Sequence, residues 1–333
     1  MRSICNSLVI IQAPADIPYA LDIIEKENSP DILVVNVNNV YRFLKKLNLR
    51  FDISYLPYPQ YKHNYYFNLL RFRAYYRKEF KKFIKDKYTE INKVYFFSRY
   101  EDSLTSFFVD RIIKKYPAAE IIYVNHYDNY DDDNTYHLSL KQWLFYCANC
   151  FITGIPLKKG YKSKIPEFDI KRYTQIKETR PFLNKETVKK YLVKYSEPNS
   201  VLLLFNKSCG QLMKDVDYKN SLEILLKELK EKGMIIYAKG HPREGCPRVI
   251  EQISDQIIPA YIPSEFVDIT SFKFVIGLNS VSIAHIARDF DVKTFSMLYC
   301  FPCQETQFIY EYLVEQSDSK LIFPNSIKEI FDK

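Results

Sequence analysis

The sequence predicts an α/β protein of two domains, each built on a mostly parallel sheet. Three observations lead there. Short apolar runs recur along the chain, at Ser7–Gln12, Asp31–Asn36, Lys93–Ser98, Glu120–Asn125, Val201–Phe205, Met234–Ala238 and Phe272–Gly277, and each has the length of a buried strand. Between several of them lie segments with apolar residues at helical spacing, and strands alternating with helices of roughly 10 to 15 residues imply βαβ units. The 333 residues also suffice for two separate cores.

In chain order, Ser7–Gln12 is a strand and Tyr19–Glu27 a helix, followed by the strand Asp31–Asn36. Val40, Phe43, Leu44 and Leu47 make one helical face. Lys93–Ser98 is a strand, Leu104–Tyr116 a helix and Glu120–Asn125 a strand. All seven glycines fall between Gly154 and Gly277, so the first half has no G-x-G-x-x-G and a dinucleotide site is not expected there. Residues 151–200 read as a connection, with a basic stretch at Lys158–Lys164, prolines at Pro166 and Pro181, and a helix resuming over Glu186–Tyr195. The domains are therefore set at 1–180 and 181–333. The second opens with the strand Val201–Phe205, a loop N-K-S-C-G-Q-L-M-K-D-V-D, and a helix over Tyr218–Lys232. Leu222, Leu225, Leu226 and Leu229 give that helix its buried stripe.

Composition narrows the class. Net charge is +8, which suits an acidic partner such as nucleic acid, anionic lipid or a charged donor. No apolar run reaches the roughly 18 residues of a membrane span, and Leu8–Ala13 is too short for a signal peptide. A cytoplasmic chain is expected, with contact to the inner face of the plasma membrane as an extension. That extension rests on Arg71 to Lys93, which holds nine Lys/Arg and three acids interleaved with Phe and Tyr. The plain reading is a solvated helix face. The sharper one is a patch for anionic lipid or a charged glycolipid, formed by Arg71, Arg73, Arg77, Lys81, Lys82 and Lys85. The acidic run His126–Asn134 suits a solvated loop better than a metal site. Two C-x-x-C pairs, Cys147/Cys150 and Cys300/Cys303, lie far apart in sequence; they read as buried thiols rather than a zinc site, and no metal is expected.

The chemistry concentrates between Met234 and His285. The run Met234–Ala238 ends in Lys239-Gly240-His241-Pro242, which suits a strand delivering a histidine to the crevice outside the carboxyl ends of an open sheet. Phe272–Gly277 is followed by Asn279-Ser280-Val281-Ser282 and a helical pattern over Ile283–Phe290. That order is strand, polar turn, helix, a ready anion site. Asp215 and Asp217, on the loop after Val201–Phe205, point to the same crevice. Glu265, after Pro263, has acceptor geometry for a ribose diol. For a nucleotide-sugar donor the carboxylate is a general base, the histidine stabilises charge on the leaving phosphate, and the serines hold it. Each residue has a plainer role as well. Asp215 and Asp217 suit a helix N-terminus, Ser280 and Ser282 suit N-caps, Glu265 suits an open surface, and His285 reads as structural. The ordered set D…K-G-H-P…P-x-E…N-S-x-S is what favours a site.

That set resembles glycosyltransferase family 52, the bacterial lipooligosaccharide sialyltransferases, over roughly Val201–Ile286, with a looser likeness in the opening strand and its Q-A-P loop. The resemblance implies a GT-B fold, two Rossmann-like α/β domains facing a central cleft. The first domain would be on the acceptor side and the second would bind the donor. It also implies inverting, metal-independent transfer of sialic acid from a CMP-sugar to a galactose-type hydroxyl on a surface glycan such as lipooligosaccharide or capsule. By the same likeness His241, with Pro242, faces the CMP phosphate and the upstream aspartate is the base. Glu265 with Pro263 binds ribose, Ser280 and Ser282 hold the phosphate beside Asn279, and Lys239 and Gly240 complete the donor turn. No cofactor is implied beyond the CMP-sugar substrate, and a homodimer is. Two departures stand. The family's adjacent acidic residues followed by Gly appear here as Lys214-Asp215-Val216-Asp217, leaving the base between Asp215, which we prefer, and Asp217. Its adjacent Ser/Thr pair appears as Ser280-Val281-Ser282.

Other cytidine-nucleotide users share the H-P histidine: transferases of Kdo, of legionaminic or pseudaminic acid, or of glycerol phosphate from CDP-glycerol. The Q-A-P-A-D loop, Gln12–Asp16, is a candidate for the donor or acceptor side. A non-catalytic binder of nucleic acid or membrane is the alternative class. It lacks an RNP-like motif, finger spacing or helix-turn-helix, so no nucleic-acid partner is expected.

Overall fold

In the computed structural model the described residues are 3–27, 30–59, 68–97, 103–125, 139–157, 174–177, 186–195, 197–208, 212–242, 244–301, 303–304 and 306–332. The chain divides into two compact units, Met1–Pro181 and Phe182–Lys333.

The first unit alternates strand and helix: β1 (Ser3–Ile11), α1 (Ile17–Lys26), β2 (Asp31–Val35), α2 (Asn38–Lys46), β3 (Ile53–Leu56), α3 (Leu69–Phe80), β4 (Tyr88–Phe96), α4 (Ser103–Lys115), β5 (Glu120–Asn125), α5 (Leu140–Thr153) and β6 (Thr174–Lys177). The strands form one sheet in the order β3-β2-β1-β4-β5-β6, every pairing parallel. Leu8 to Ile11 are all buried, as a central strand covered on both faces requires. Many of the abundant aromatic residues sit in this core. Phe80 meets Phe107 and Phe108 edge-on at 6.0 and 5.5 Å, and Tyr76 packs on Phe107 at 5.6 Å, geometries that add to the burial energy.

The second unit repeats the plan: α6 (Glu186–Lys189), β7 (Ser200–Leu204), α7 (Asp215–Glu231), β8 (Ile235–Lys239), α8 (Arg248–Ile253), β9 (Gln256–Ile257), β10 (Phe274–Gly277), α9 (Val281–Asp289), β11 (Lys293–Ser296), α10 (Thr306–Gln316) and α11 (Glu329–Asp332). Its sheet runs β11-β10-β7-β8-β9, again all parallel. The strand order is therefore that of a doubly wound fold in both units, reversing direction between β1 and β4 and between β7 and β10. The expected class, two Rossmann-like α/β units on parallel sheets, is what the structure shows. Among the described residues no helix is long and apolar enough to cross a membrane.

Several expectations about elements need correction. The helix expected over Glu186–Tyr195 stops at Lys189, because Val193 extends to bridge Val267. Residues 151–200 are not only a connection: Thr174–Lys177 is the sixth strand of the first sheet. The segment Arg71 to Lys93 is not one face. α3 and the helical turn Lys81–Lys85 carry Arg71 to Lys85, whereas Lys93 lies on β4 and pairs with Glu27 at 3.3 Å and Glu120 at 3.8 Å. The acidic run His126–Asn134 and the basic stretch Lys158–Lys164 lie outside the described residues.

Candidate functional site

In a doubly wound sheet, ligands bind outside the carboxyl ends of the strands where the order reverses. In the second unit that point lies between β7 and β10. The turn after β10 is shaped by Gly277: a Cβ there would lie 2.6 Å from Ile283 Cγ2 and 3.0 Å from the Leu204 carbonyl oxygen. Only glycine lets the start of α9 settle so close to β7 and β10. The Ser296 hydroxyl donates to the Leu278 carbonyl at 2.6 Å and fixes the turn from the β11 side. Ser280 is the N-cap of α9, its hydroxyl accepting the Ser282 amide at 3.3 Å, and Asn279 precedes it, half-buried.

The Pro263 turn reaches the same place. Pro263 opens one tight helical turn over Ser264–Phe266. From it the Ser264 hydroxyl hydrogen-bonds to Glu265 Oε2 at 3.2 Å and to the Ser282 hydroxyl at 3.1 Å. Lys239, the last residue of β8, is 3% exposed, with its ammonium 3.3 Å from the Gly240 carbonyl. Burial lowers its pKa, and the nearby Glu265 carboxylate opposes that shift. His285, on α9, is pulled down chiefly by burial and then by Arg288. Glu265, Asp289 and a hydrogen bond with Gln316 push it back up. Lys239, Glu265, Ser264, Ser282 and His285 thus form one polar cluster at the carboxyl edge of the sheet. Sequence reading missed Ser264 and set His285 aside. The P-S-E turn held the signal for Ser264, since its serine stands between the two residues singled out.

His241 lies in a tight turn after β8. Its backbone exchanges hydrogen bonds with Gly245 at 3.1 and 2.8 Å, and Nδ1 accepts the Glu244 amide at 3.3 Å. In the neutral ring this leaves the proton on Nε2. Gly240 is required sterically, because a Cβ would sit 2.3 Å from the Cys246 nitrogen and the Gly245 carbonyl carbon. Pro242 follows in the turn, half-buried.

The aspartates differ from expectation in their element. α7 begins at Asp215 rather than Tyr218, so Asp215 and Asp217 occupy its first turn instead of a loop, where the helix dipole favours acids. Asp215 is exposed and lines an open cavity of about 870 Å³ between α7 and α8, with Lys207, Ser208, Glu244 and Arg248. Among the described residues bordering it, Glu244 brings in the His241 turn and Asp217 is absent. In the first unit, Asp16 of the Q-A-P-A-D loop is fully buried and accepts the Gln12 and Ala13 amides at 2.8 Å each. It is the brace of that loop rather than an open ligand contact.

Among the described residues no group of three His, Cys, Asp or Glu side chains could hold a metal ion. Cys147 and Cys150 lie on α5, whereas Cys300 and Cys303 follow β11 in the other unit.

No protein-family model matches the chain, and no curated protein sequence matches it. Solved structures similar to it include the glycotransferase of kitacinnamycin (TM-score 0.48, 9% identity, covering 98% of this chain and 89% of that one). A UDP-N-acetylglucosamine 2-epimerase from Rickettsia bellii gives a TM-score of 0.47 at 11% identity, covering 100% and 86%. The Methanocaldococcus jannaschii UDP-GlcNAc 2-epimerase in complex with UDP-GlcNAc and UDP gives 0.43 at 12% identity, covering 98% and 91%.

Proposed function

We propose that the chain is an inverting, metal-independent GT-B glycosyltransferase that moves sialic acid, or a related nonulosonate, from a CMP-sugar to a hydroxyl of a galactose-type acceptor on a bacterial surface glycan. The observation that carries this is the junction of the Pro263–Glu265 turn with the Ser280–Ser282 turn at the carboxyl edge of the second sheet, beside the buried Lys239. A nucleoside monophosphate needs two groups of partners: donors for its phosphate and an acceptor for its ribose diol. The start of α9 with Ser280 and Ser282 supplies the first, and Glu265 the second.

In this reading the acceptor hydroxyl oxygen bonds to the anomeric carbon as the bond from that carbon to the phosphate oxygen breaks. The hydroxyl proton passes to a carboxylate. CMP departs with the bond's electron pair, its charge stabilised by His241 Nε2–H and the α9 turn. Asp215 is preferred over Asp217 as the base, because it alone of the two borders the open cavity beside the His241 turn. The second unit is then the donor side and the first the acceptor side.

Calorimetric binding of CMP, CDP, UMP and ADP, with and without EDTA, tests this on the wild type and on His241→Ala. Selective binding of cytidine nucleotides, unaffected by EDTA and weakened in the variant, supports the reading and leads to assays of CMP-sialic acid with galactosides. Absence of cytidine preference, or binding indifferent to the His241 change, sinks it.

A further inference from the structure

The first unit carries a surface that the donor site does not explain. α5 is apolar on two sides. Tyr146, Ala148, Cys150 and Ile152 face inward, yet Leu140 is 74% exposed, Trp143 49%, Leu144 46% and Phe151 42%. These four fall at helical spacing on one stripe. A helix at the edge of a water-facing domain would normally present polar residues there.

α3 packs beside α5 and sets charge along that stripe. The Arg73 guanidinium lies 5.1 Å over the Phe151 ring. Leu70 (73% exposed) and the exposed Arg77 flank Arg73 at helical spacing on α3. From Arg71 to Lys85 there are seven Lys/Arg and one acid, and that acid, Glu79, is buried. Trp, Phe and Leu bordered by Arg73 and Arg77 of a strongly basic helix is the pattern of a surface that lies in a lipid headgroup layer. The apolar side chains enter the acyl boundary while the cations meet anionic headgroups.

We propose that the α3–α5 face docks on an anionic bilayer surface. A second copy of the chain is the poorer occupant, because two-fold pairing of this face would set the same cations against each other. Nucleic acid would satisfy the cations but leave Leu140, Leu144 and Trp143 without apolar cover. The inference stands apart from the donor site, and no nucleotide enters its test.

The chain's single tryptophan is Trp143, so its fluorescence reports this face directly. Vesicles of phosphatidylcholine alone and of phosphatidylcholine with phosphatidylglycerol would be titrated into the full chain. The expected result is a blue shift of Trp143 emission with the anionic vesicles only. It should fade as salt rises from about 0.1 M to about 1 M. Arg73→Gln with Arg77→Gln should weaken partitioning roughly tenfold or more. Leu140→Ser with Leu144→Ser should remove the shift while leaving the far-ultraviolet circular dichroism unchanged. No shift, an equal shift with neutral vesicles, or an equal shift with a random oligonucleotide overturns the proposal. A shift that tracks protein concentration without lipid also overturns it and assigns the face to a second copy.

Discussion

The hydroxyls of Ser264 and Ser282 lie 3.1 Å apart, joining the turn that carries Glu265 to the first turn of α9. A part-buried hydroxyl pair is worth about 1 kcal/mol, and the two residues share it. Ser264→Ala and Ser282→Ala should each destabilise the second unit by about 1 kcal/mol. The double variant should cost clearly less than the sum, the signature of direct coupling. Chemical denaturation of the four proteins measures this. Ser264→Ala should also weaken nucleotide binding, because its hydroxyl orients Glu265.

Two glycines separate crowding from backbone strain. At Gly240 an added Cβ meets the backbone of Gly245 and Cys246 at 2.3 Å, whereas at Gly233, with φ of +65°, nothing lies within 4 Å. Gly233→Ala should cost about 1 kcal/mol, the left-handed penalty alone. Gly240→Ala should cost about 3 kcal/mol or prevent the second unit from folding. Thermal melting of the two variants side by side distinguishes the cases, and equal effects would contradict the packing described for the His241 turn.

His285 gives stability a pH dependence of defined sign. Burial, then Arg288, holds its pKa below the ordinary 6.5, so folding favours the neutral ring. The unfolded chain then binds more protons between the two values. The contribution is complete above about 6.5 and is lost as pH falls toward the folded value. His285→Gln should flatten the stability profile over that acidic window. Denaturation midpoints measured across the window, wild type against variant, provide the check.

Asp16 should matter for stability rather than for binding. Its carboxylate takes two amide hydrogen bonds in a fully buried setting, so Asp16→Ala leaves two donors unmet and should cost about 2 to 3 kcal/mol. Asp16→Asn should recover part of this. Calorimetric melting of both variants settles the size and the order.

Strands with long apolar runs were legible in the sequence, because a buried central strand must be apolar on both faces. β1, β7, β8 and β10 all show this. β3, β6, β9 and β11 were not read, because besides being short they carry polar residues such as Ser54, Gln175, Gln256 and Lys293 that break any apolar run, unlike the similarly short but wholly apolar β10. The start of α7 was misread because Lys214-Asp215-Val216-Asp217 looks like a polar loop, and acids in a first turn look the same until the helix is seen. The Pro263, Ser280 and Gly240 turns were legible individually from their Pro, Ser and Gly residues. Their convergence was expected only from the strand-end rule and the family resemblance, because β10 returning beside β7 pairs distant segments that no local pattern encodes.

Each unit carries its own parallel sheet and its own buried cluster, and Trp143 belongs to the first. Tryptophan emission, excited selectively over the 28 tyrosines, therefore follows the melting of the first unit and is blind to the other. Circular dichroism sums both, and a nucleotide ligand should raise only the transition that fluorescence does not see. Two probes that fail to coincide would mark two cooperative units in one polypeptide, and a single quoted melting temperature would then describe neither.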